Sequence, residues 1–299
     1  MKQHLHLLIL LLFALPVEAQ PTLESLLRAV DAAIEDSEQY EKDKMQRITL
    51  IKDGLKVSGL SLEEEYRINL RLYTEYEAYI CDSARHYINR NIELAVRLNN
   101  REWLNESKLK KVHILATSGL YAEGLRLLET INKQHLSDRL LVDYYMAFEN
   151  IYLYYAEYAQ DDEYMPGYLD KMNSYRDSVL MIVPEGSYQY VIVQGPMLIY
   201  HQQPKEAENL LKTYISGVSS DTREYAILTS ILAFTYQNDS QLELQKMCLA
   251  ESAIADIKAV VKENNSLRAL AELLYEEGAI ERANKYMKKS MADASFYNA

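Results

Sequence analysis

The feature that most constrains the fold of this chain is an apolar pattern that returns at a fixed internal spacing. One copy occupies residues 112–131, and a second copy with the same spacing occupies residues 271–290. Within each copy the apolar residues follow helical periodicity, and a small residue, Gly124 or Ala283, stands at the equivalent position. Recurrence of this kind predicts helix pairs that stack on their neighbours along the chain.

Weaker copies extend the pattern over most of the sequence. The positions equivalent to the small residue are Ala84, Gly124, Ala207, Gln245 and Ala283. They lie about 40 residues apart, except for one gap of about twice that length, which leaves room for one irregular unit. The spacing therefore predicts roughly six helix pairs, with a generic helical bundle of coincidental spacing as the alternative.

The spacing resembles the tetratricopeptide repeat, whose period is about 34 residues. In that family small residues let two antiparallel helices approach, and a left-handed glycine ends the first helix. Gly119 and Gly278 fit this glycine position. The resemblance implies an all-α fold, a right-handed superhelical solenoid of antiparallel helix pairs, here with the longer period of about 40 residues.

Composition agrees with long helices and excludes one class of partner. Only 9 glycines and 6 prolines occur in 299 residues, too few for the turns of an all-β fold. The chain carries 44 Asp and Glu against 32 Lys and Arg, a formal charge of −12. Because phosphate backbones require clustered basic residues, we expect no nucleic-acid partner.

Residues 1–19 have the pattern of a secretory signal. Lys2 precedes the apolar run Leu7 to Leu15, and small residues at Val17 and Ala19 predict cleavage after Ala19. An uncleaved anchor and a buried N-terminal helix are the alternatives. The run is shorter than the roughly 20 residues of a spanning helix, so we expect an exported, periplasmic protein without a membrane span in this chain.

The remaining sequence divides into two parts. Residues 20–60 are predicted to form an N-terminal helical segment, and residues 61–299 the repeat domain, which starts at a capping box of Ser61 and Glu64. Four of the six prolines fall between 166 and 204, which predicts an irregular bend around 160–204. Inside that stretch, 190–194 has strand-like composition, but its place in the repeat favours the start of a helix.

No motif for catalysis, metal or cofactor binding stands out. The histidines and cysteines show no paired metal spacing, and nucleophile-elbow, Walker and dinucleotide glycine motifs are absent from the sequence. Ser107 and Lys110 match S-x-x-K without its companion motifs and are predicted to be ordinary helix residues. We therefore predict no catalytic residue, no metal and no cofactor.

A tyrosine-rich segment spans residues 143–164. A stripe that begins just before it, with alternating spacing of four and three residues, predicts the core face of a helix whose tyrosine hydroxyls reach solvent. The members of the stripe are Leu141, Tyr145, Phe148, Tyr152 and Tyr155. The alternative is a binding role for the tyrosines outside the stripe, which are Tyr144, Tyr154 and Tyr158. Exposed, they would offer aromatic platforms for sugar rings or peptide side chains.

Several segments also resemble a specific family from Bacteroides-type bacteria. The segments are Tyr40 to Lys52, Asp82-Ser83-Ala84 with Tyr87-Ile88, Leu273 to Gly278 and Ala294 to Ala299. Members join an exported tetratricopeptide-like region to a membrane span and a cytoplasmic regulatory part, and their molecular function is largely undefined. This chain stops at Ala299 within a helical pattern. The resemblance thus implies the sensory half of a longer, membrane-anchored regulator, or a truncated relative.

The tetratricopeptide resemblance also implies where a ligand binds. In such repeats the groove is lined by set positions of the first helix of each pair. The equivalent residues here are His113, Phe234, Gln237, Arg268, Glu272 and Tyr275.

Three functions follow from these observations. The first is a non-enzymatic periplasmic interaction module that binds a peptide, protein or glycan on its concave face. The second is a scaffold subunit of an exported complex, which predicts an apolar surface patch. The third and most remote is a carbohydrate-active enzyme that uses acids near the tyrosine-rich segment.

Overall fold

The computed structural model describes residues 21–159, 161–238, 241–263 and 265–298, so the predicted signal lies outside the described residues. Within these ranges the chain forms α-helices, two short 3₁₀ turns at Gly54–Lys56 and Lys133–His135, and no strands. The helices are α1 Leu23–Glu35, α2 Ser37–Asp53, α3 Leu62–Tyr76, α4 Cys81–Arg97, α5 Arg101–Thr117, α6 Tyr121–Glu129, α7 Asp138–Ala159, α8 Met165–Leu180, α9 Tyr188–Tyr200, α10 Pro204–Ile215, α11 Arg223–Asn238, α12 Leu242–Ala259, α13 Ser266–Glu276 and α14 Ile280–Tyr297.

Helices α3 to α14 form six consecutive pairs, and each helix packs on its sequence neighbours. The first helices of successive pairs also meet, α5 with α7 and α9 with α11. The long gap in the repeat is filled by α7 and α8, which pack closely together. This arrangement confirms the predicted all-α, tetratricopeptide-like solenoid.

The repeated small residues lie where the two helices of a pair approach. Ala84, Ala207 and Ala283 are fully buried on α4, α10 and α14, the second helices of their pairs. At Gly124 on α6, an added Cβ would lie 3.7 Å from Val112 Cγ1 of its pair partner α5 and 3.0 Å from Ile151 Cδ1 of the following helix, α7. Close helix approach therefore accounts for the small side chains, while Gln245 on α12 is only half-buried.

The two predicted glycine turns are confirmed. Gly119 and Gly278 have φ angles of +76° and +85°. After each glycine the chain closes a Schellman turn, with Leu120 N donating to Leu115 O at 2.8 Å and Ala279 N donating to Leu274 O at 2.9 Å. These bonds satisfy carbonyls at the helix end and return the chain for the second helix.

The capping box predicted at the start of the repeat domain is present. Ser61 and Glu64 form the reciprocal capping box at the start of α3. Residues 190–194 lie inside α9, which confirms the helical interpretation of this β-branched stretch.

Cys81 and Cys248 are buried free thiols on α4 and α12.

The N-terminal helices pack against the far end of the chain, which the repeat pattern did not predict. Helix α1 packs along α12, and α2 packs against both α3 and α12. One apolar cluster joins α1 to α9–α14, and another joins α2–α5 to Val260 and Tyr297. The helical stack is therefore closed on itself by a shared core.

Polar contacts reinforce this closure, and three of the four join residues more than a hundred positions apart. Lys262 N donates to Ala78 O at 2.7 Å, and Tyr297 Oη donates to Glu77 O at 3.1 Å. The buried Lys262 ammonium pairs with Glu41 on α2 and with Asp293 on α14. Both termini of the repeat stack are thus held by backbone and ionic contacts.

We predict that Gly119→Ala destabilises the protein by about 1 kcal/mol, because an L-residue in the left-handed region is strained. An added Cβ would meet no atom within 4 Å there, so the cost is conformational. Gly167→Ala is the matched control, since it also lies in open space but within a helix. It should stabilise by roughly 0.5–1 kcal/mol. Urea unfolding measures both, and equal shifts would contradict the assignment.

Candidate functional site

A first cavity of about 200 Å³ lies between the first helices of three consecutive pairs, α3, α5 and α7. Tyr73 and Glu77 contribute from α3 and its end, Lys110 and His113 from α5, and Asn150 from α7. The Tyr73 hydroxyl donates to Lys110 O at 3.2 Å, which fixes one wall. Amide, imidazole and ammonium groups therefore converge on one opening.

Arg139 pairs with two carboxylates at the rim of this cavity. Its Nη1 lies 3.1 Å from Glu106 Oε1 and 3.8 Å from Asp143 Oδ2. Burial nevertheless raises the pKa of the Asp143 carboxyl, with Arg139 and Lys110 opposing the shift. The cavity thus presents paired charges together with neutral hydrogen-bonding groups.

A second cavity of about 340 Å³ lies where the closure brings the C-terminal pair against α5 and α7. Tyr154 lines it from α7, Glu263 and Asn265 from the connection after α12, Arg268 from α13, and Tyr297 from α14. Residues more than a hundred positions apart in sequence thus share one cavity wall.

The aromatic and basic groups of this second cavity have defined environments. The Tyr154 ring stacks on Tyr121 with centroids 5.7 Å apart, and burial raises the pKa of its hydroxyl. Arg268 is half-exposed, with its Nε 3.9 Å from Glu272 Oε1. Burial raises the pKa of Glu157, and Arg268 opposes that shift. The Arg268 guanidinium is therefore available to a ligand at modest cost.

Arg223, the first residue of α11, connects the two cavities. Its guanidinium lies 3.5 Å from Glu77 Oε1, at the first cavity, and 3.0 Å from Glu263 Oε1, at the second. Asp256 is buried and interacts electrostatically with Arg223. Burial raises the pKa of the Asp256 carboxyl to about 7, and Arg223 opposes this shift. We call the two cavities and this bridge the inner site.

The structure brings three of the sequence-predicted residues to the inner site: His113 at the first cavity, and Tyr154 and Arg268 at the second. Glu272 accompanies Arg268 as an exposed partner. The other predicted residues lie elsewhere, and these are Tyr144, Tyr158, Phe234, Gln237 and Tyr275.

The tyrosine stripe of α7 forms a half-buried face that packs against the core. Phe148 is buried, and Tyr145, Tyr152 and Tyr155 are half-buried against the apolar clusters. Two further buried residues, Leu140 and Ile151, lie outside the stripe because α7 packs against α5, α6 and α8. Tyr144 packs edge-on against Phe148 at 5.0 Å, whereas Tyr158 is 82% exposed.

Several residues of the inner site were not predicted from the sequence. Glu77, Arg223 and Glu263 lie in or beside helix ends, where no periodic signal marks them. Tyr297 and Thr117 share a hydrogen bond at 2.9 Å although 180 positions separate them. Only the closure of the stack places these groups together.

Metal binding finds no support in the geometry of the described ranges. Among these residues, no group of three His, Cys, Asp or Glu side chains is arranged to hold a metal ion. Nor does any helix within them have the length and apolarity needed to cross a membrane.

The fold and the inner site define a tetratricopeptide-type helical repeat domain, a class that generally mediates protein interactions and is generally non-catalytic. The sequence matches the family described as SusR N-terminal TPR domain over residues 34–299. The chain therefore belongs to this family, which confirms the resemblance found in the sequence. A search of curated proteins found no match.

We predict that Asp256→Asn weakens the dependence of stability on pH. With the pKa of Asp256 raised to about 7, the folded state holds a proton that the unfolded state has lost above about pH 4. This group therefore makes stability fall by on the order of 1 kcal/mol per pH unit between about 4 and 7. Because the variant lacks this carboxyl, its stability relative to the wild type should increase as pH rises.

Urea unfolding at pH 5 and pH 7.5 measures this difference. Asp162→Asn, an exposed loop acid, is the control and should follow the wild type at both pH values. Parallel curves for Asp256→Asn and wild type would show that Asp256 is ionised throughout this range.

Proposed function

We propose that this chain is a non-enzymatic, exported binding module, and the sensory part of a membrane-anchored regulator. Its ligand is a peptide, protein or glycan taken up at the inner site. Family membership supports an interaction role, and the predicted signal at residues 1–19 supports export to the periplasm.

The observation that carries this proposal is the composition of the inner site. Its walls hold paired charges and neutral polar groups on rigid helices, with aromatic rings beside them. Such walls can bind a polar ligand with little rearrangement, because their side chains are already oriented.

The location of the inner site gives binding a route to signalling. Arg223 touches Glu77, at the start of the repeat stack, and Glu263, near its end. A ligand that bridges both cavities contacts both ends and stabilises the closed stack. The proposed signal is therefore a change in the closure at the C-terminal pair, α13 and α14.

We predict that Arg268→Ala and His113→Ala each weaken ligand binding at least about ten-fold, which corresponds to about 1.4 kcal/mol. The probes are a defined peptide mixture and a mixture of neutral oligosaccharides, titrated by native mass spectrometry. Binding of one class at 100 times its Kd should add about 2.7 kcal/mol to the stability of the wild type, seen as a raised Tm.

Arg126→Ala on α6 is the matched control. Arg126 is exposed and pairs with Glu123 of the same helix at 2.7 Å, away from the inner site, so binding should be unchanged. An equal loss of affinity in Arg126→Ala and Arg268→Ala would contradict ligand binding at the inner site. Unchanged affinity in both Arg268→Ala and His113→Ala would contradict it as well.

A scaffold role is a second candidate, favoured by exposed apolar side chains. Phe234 on α11 and Tyr275 on α13 are 54% and 62% exposed, and Leu242 and Leu244 on α12 are also exposed. Single exposed apolar residues are ordinary, but several on consecutive helices fit a protein contact. Phe234→Ser with Tyr275→Ser should release a co-purifying subunit and leave ligand titrations unchanged, whereas retention of that subunit would contradict this role.

A further inference from the structure

We propose that α1 is an exchangeable docking helix, and that the groove formed by α12 and α14 accepts α1 of a second copy of this chain. The result is a dimer in which each copy supplies α1 to the groove of the other. The proposal concerns assembly and is independent of which ligand the inner site binds.

Helix α1 lies in its groove as a docked amphipathic helix. One face buries Leu27, Val30 and Ala33 at helical spacing. The facing helix, α12, contributes the small side chains Ala250 and Ala253 to the same apolar cluster. Small residues allow close approach, so the groove is shaped for a helix.

Charge complementarity gives this groove its specificity. Arg282 of α14 lies 3.0 Å from Glu24 and 3.1 Å from Asp31, and Lys285 lies 3.1 Å from Asp31 and 3.2 Å from Glu35. The acidic face of α1 therefore meets a basic face of α14. The groove recognises α1 by charge as well as by shape.

A hydrogen bond to the backbone of α1 also stabilises the docked helix. The Tyr286 hydroxyl is buried and donates to Leu27 O at 2.9 Å. This bond depends only on a helix lying in the groove at the correct depth. Any copy of α1 can make it.

The connection between α1 and α2 is a single residue. Asp36 links Glu35 to Ser37 and already has helical φ and ψ angles of −84° and −3°. A small change at Asp36 would join the two helices into one and carry α1 away from its own groove. The family match begins at residue 34, so nearly all of α1 precedes the matched repeat.

Exchange conserves every contact of the docked helix. In both forms α1 meets the same apolar groove and the same basic residues, so only the hinge and the concentration of chains decide between them. Exchange of a terminal element through a short hinge is a low-cost route to dimers. The dimer should therefore increase with protein concentration.

Two charge-reversed variants test the exchange directly. One carries Glu24→Lys, Asp31→Lys and Glu35→Lys on α1, and the other carries Arg282→Glu and Lys285→Glu in the groove. Each repels its own docked helix, but together they are complementary in both directions. Mixing them should give a heterodimer at twice the monomer mass by native mass spectrometry, at least ten-fold more abundant than either homodimer.

A chain with all five substitutions is the matched control. It restores complementarity within one molecule and should match the wild type in Tm and in its monomer–dimer distribution. Two monomer masses after mixing, or homodimers as abundant as the heterodimer, would overturn the proposal.

A second measurement uses the wild-type chain and needs no variant to fold. Labelled (¹⁵N) and unlabelled chains are mixed at high concentration, and a zero-length carbodiimide joins Lys285 to Glu35. In the dimer fraction about half of the cross-linked peptides should carry one labelled and one unlabelled half, as random pairing requires. The absence of a dimer fraction, or cross-links only between peptides of the same label, would contradict exchange.

Discussion

The buried ammonium of Lys262 lies where the two ends of the helical stack meet, and the closed form depends on it. Removing a charge from water costs several kcal/mol unless it is paired. Lys262 meets Glu41 from α2 and Asp293 from α14, while its own backbone N–H donates to Ala78 O. An open stack would leave this ammonium without Glu41. Electrostatics and shared apolar cores thus favour closure together.

Closure converts a row of repeats into an enclosed site. The second cavity exists because α13 and α14 lie against the ends of α5 and α7. Arg223 then holds the start and the end of the stack through Glu77 and Glu263. In an open solenoid the first helices would form one continuous groove. Here the same helices present two cavities joined by Arg223.

Local rules accounted for much of the fold and part of the site. The left-handed turns at Gly119 and Gly278 and the capping box at Ser61 depend on neighbours within six residues, so sequence spacing specified them. Repeat positions also placed His113 and Arg268 on surfaces that face the cavities. The stripe of α7 marked one face that packs against the core, but it missed the buried Leu140 and Ile151, because α7 has neighbours on several sides and periodicity describes only one face.

The sequence by itself determined the helix pairs, their order and the close approach within each pair, since these depend on residues at short and regular separation. Only the tertiary structure decided that α1 and α2 pack on α12, and that Tyr297 reaches Glu77. The contact between Tyr297 and Glu77 joins residues 220 positions apart. No periodic signal spans such a distance, because the closing position is the accumulated outcome of every turn and helix length between its two ends.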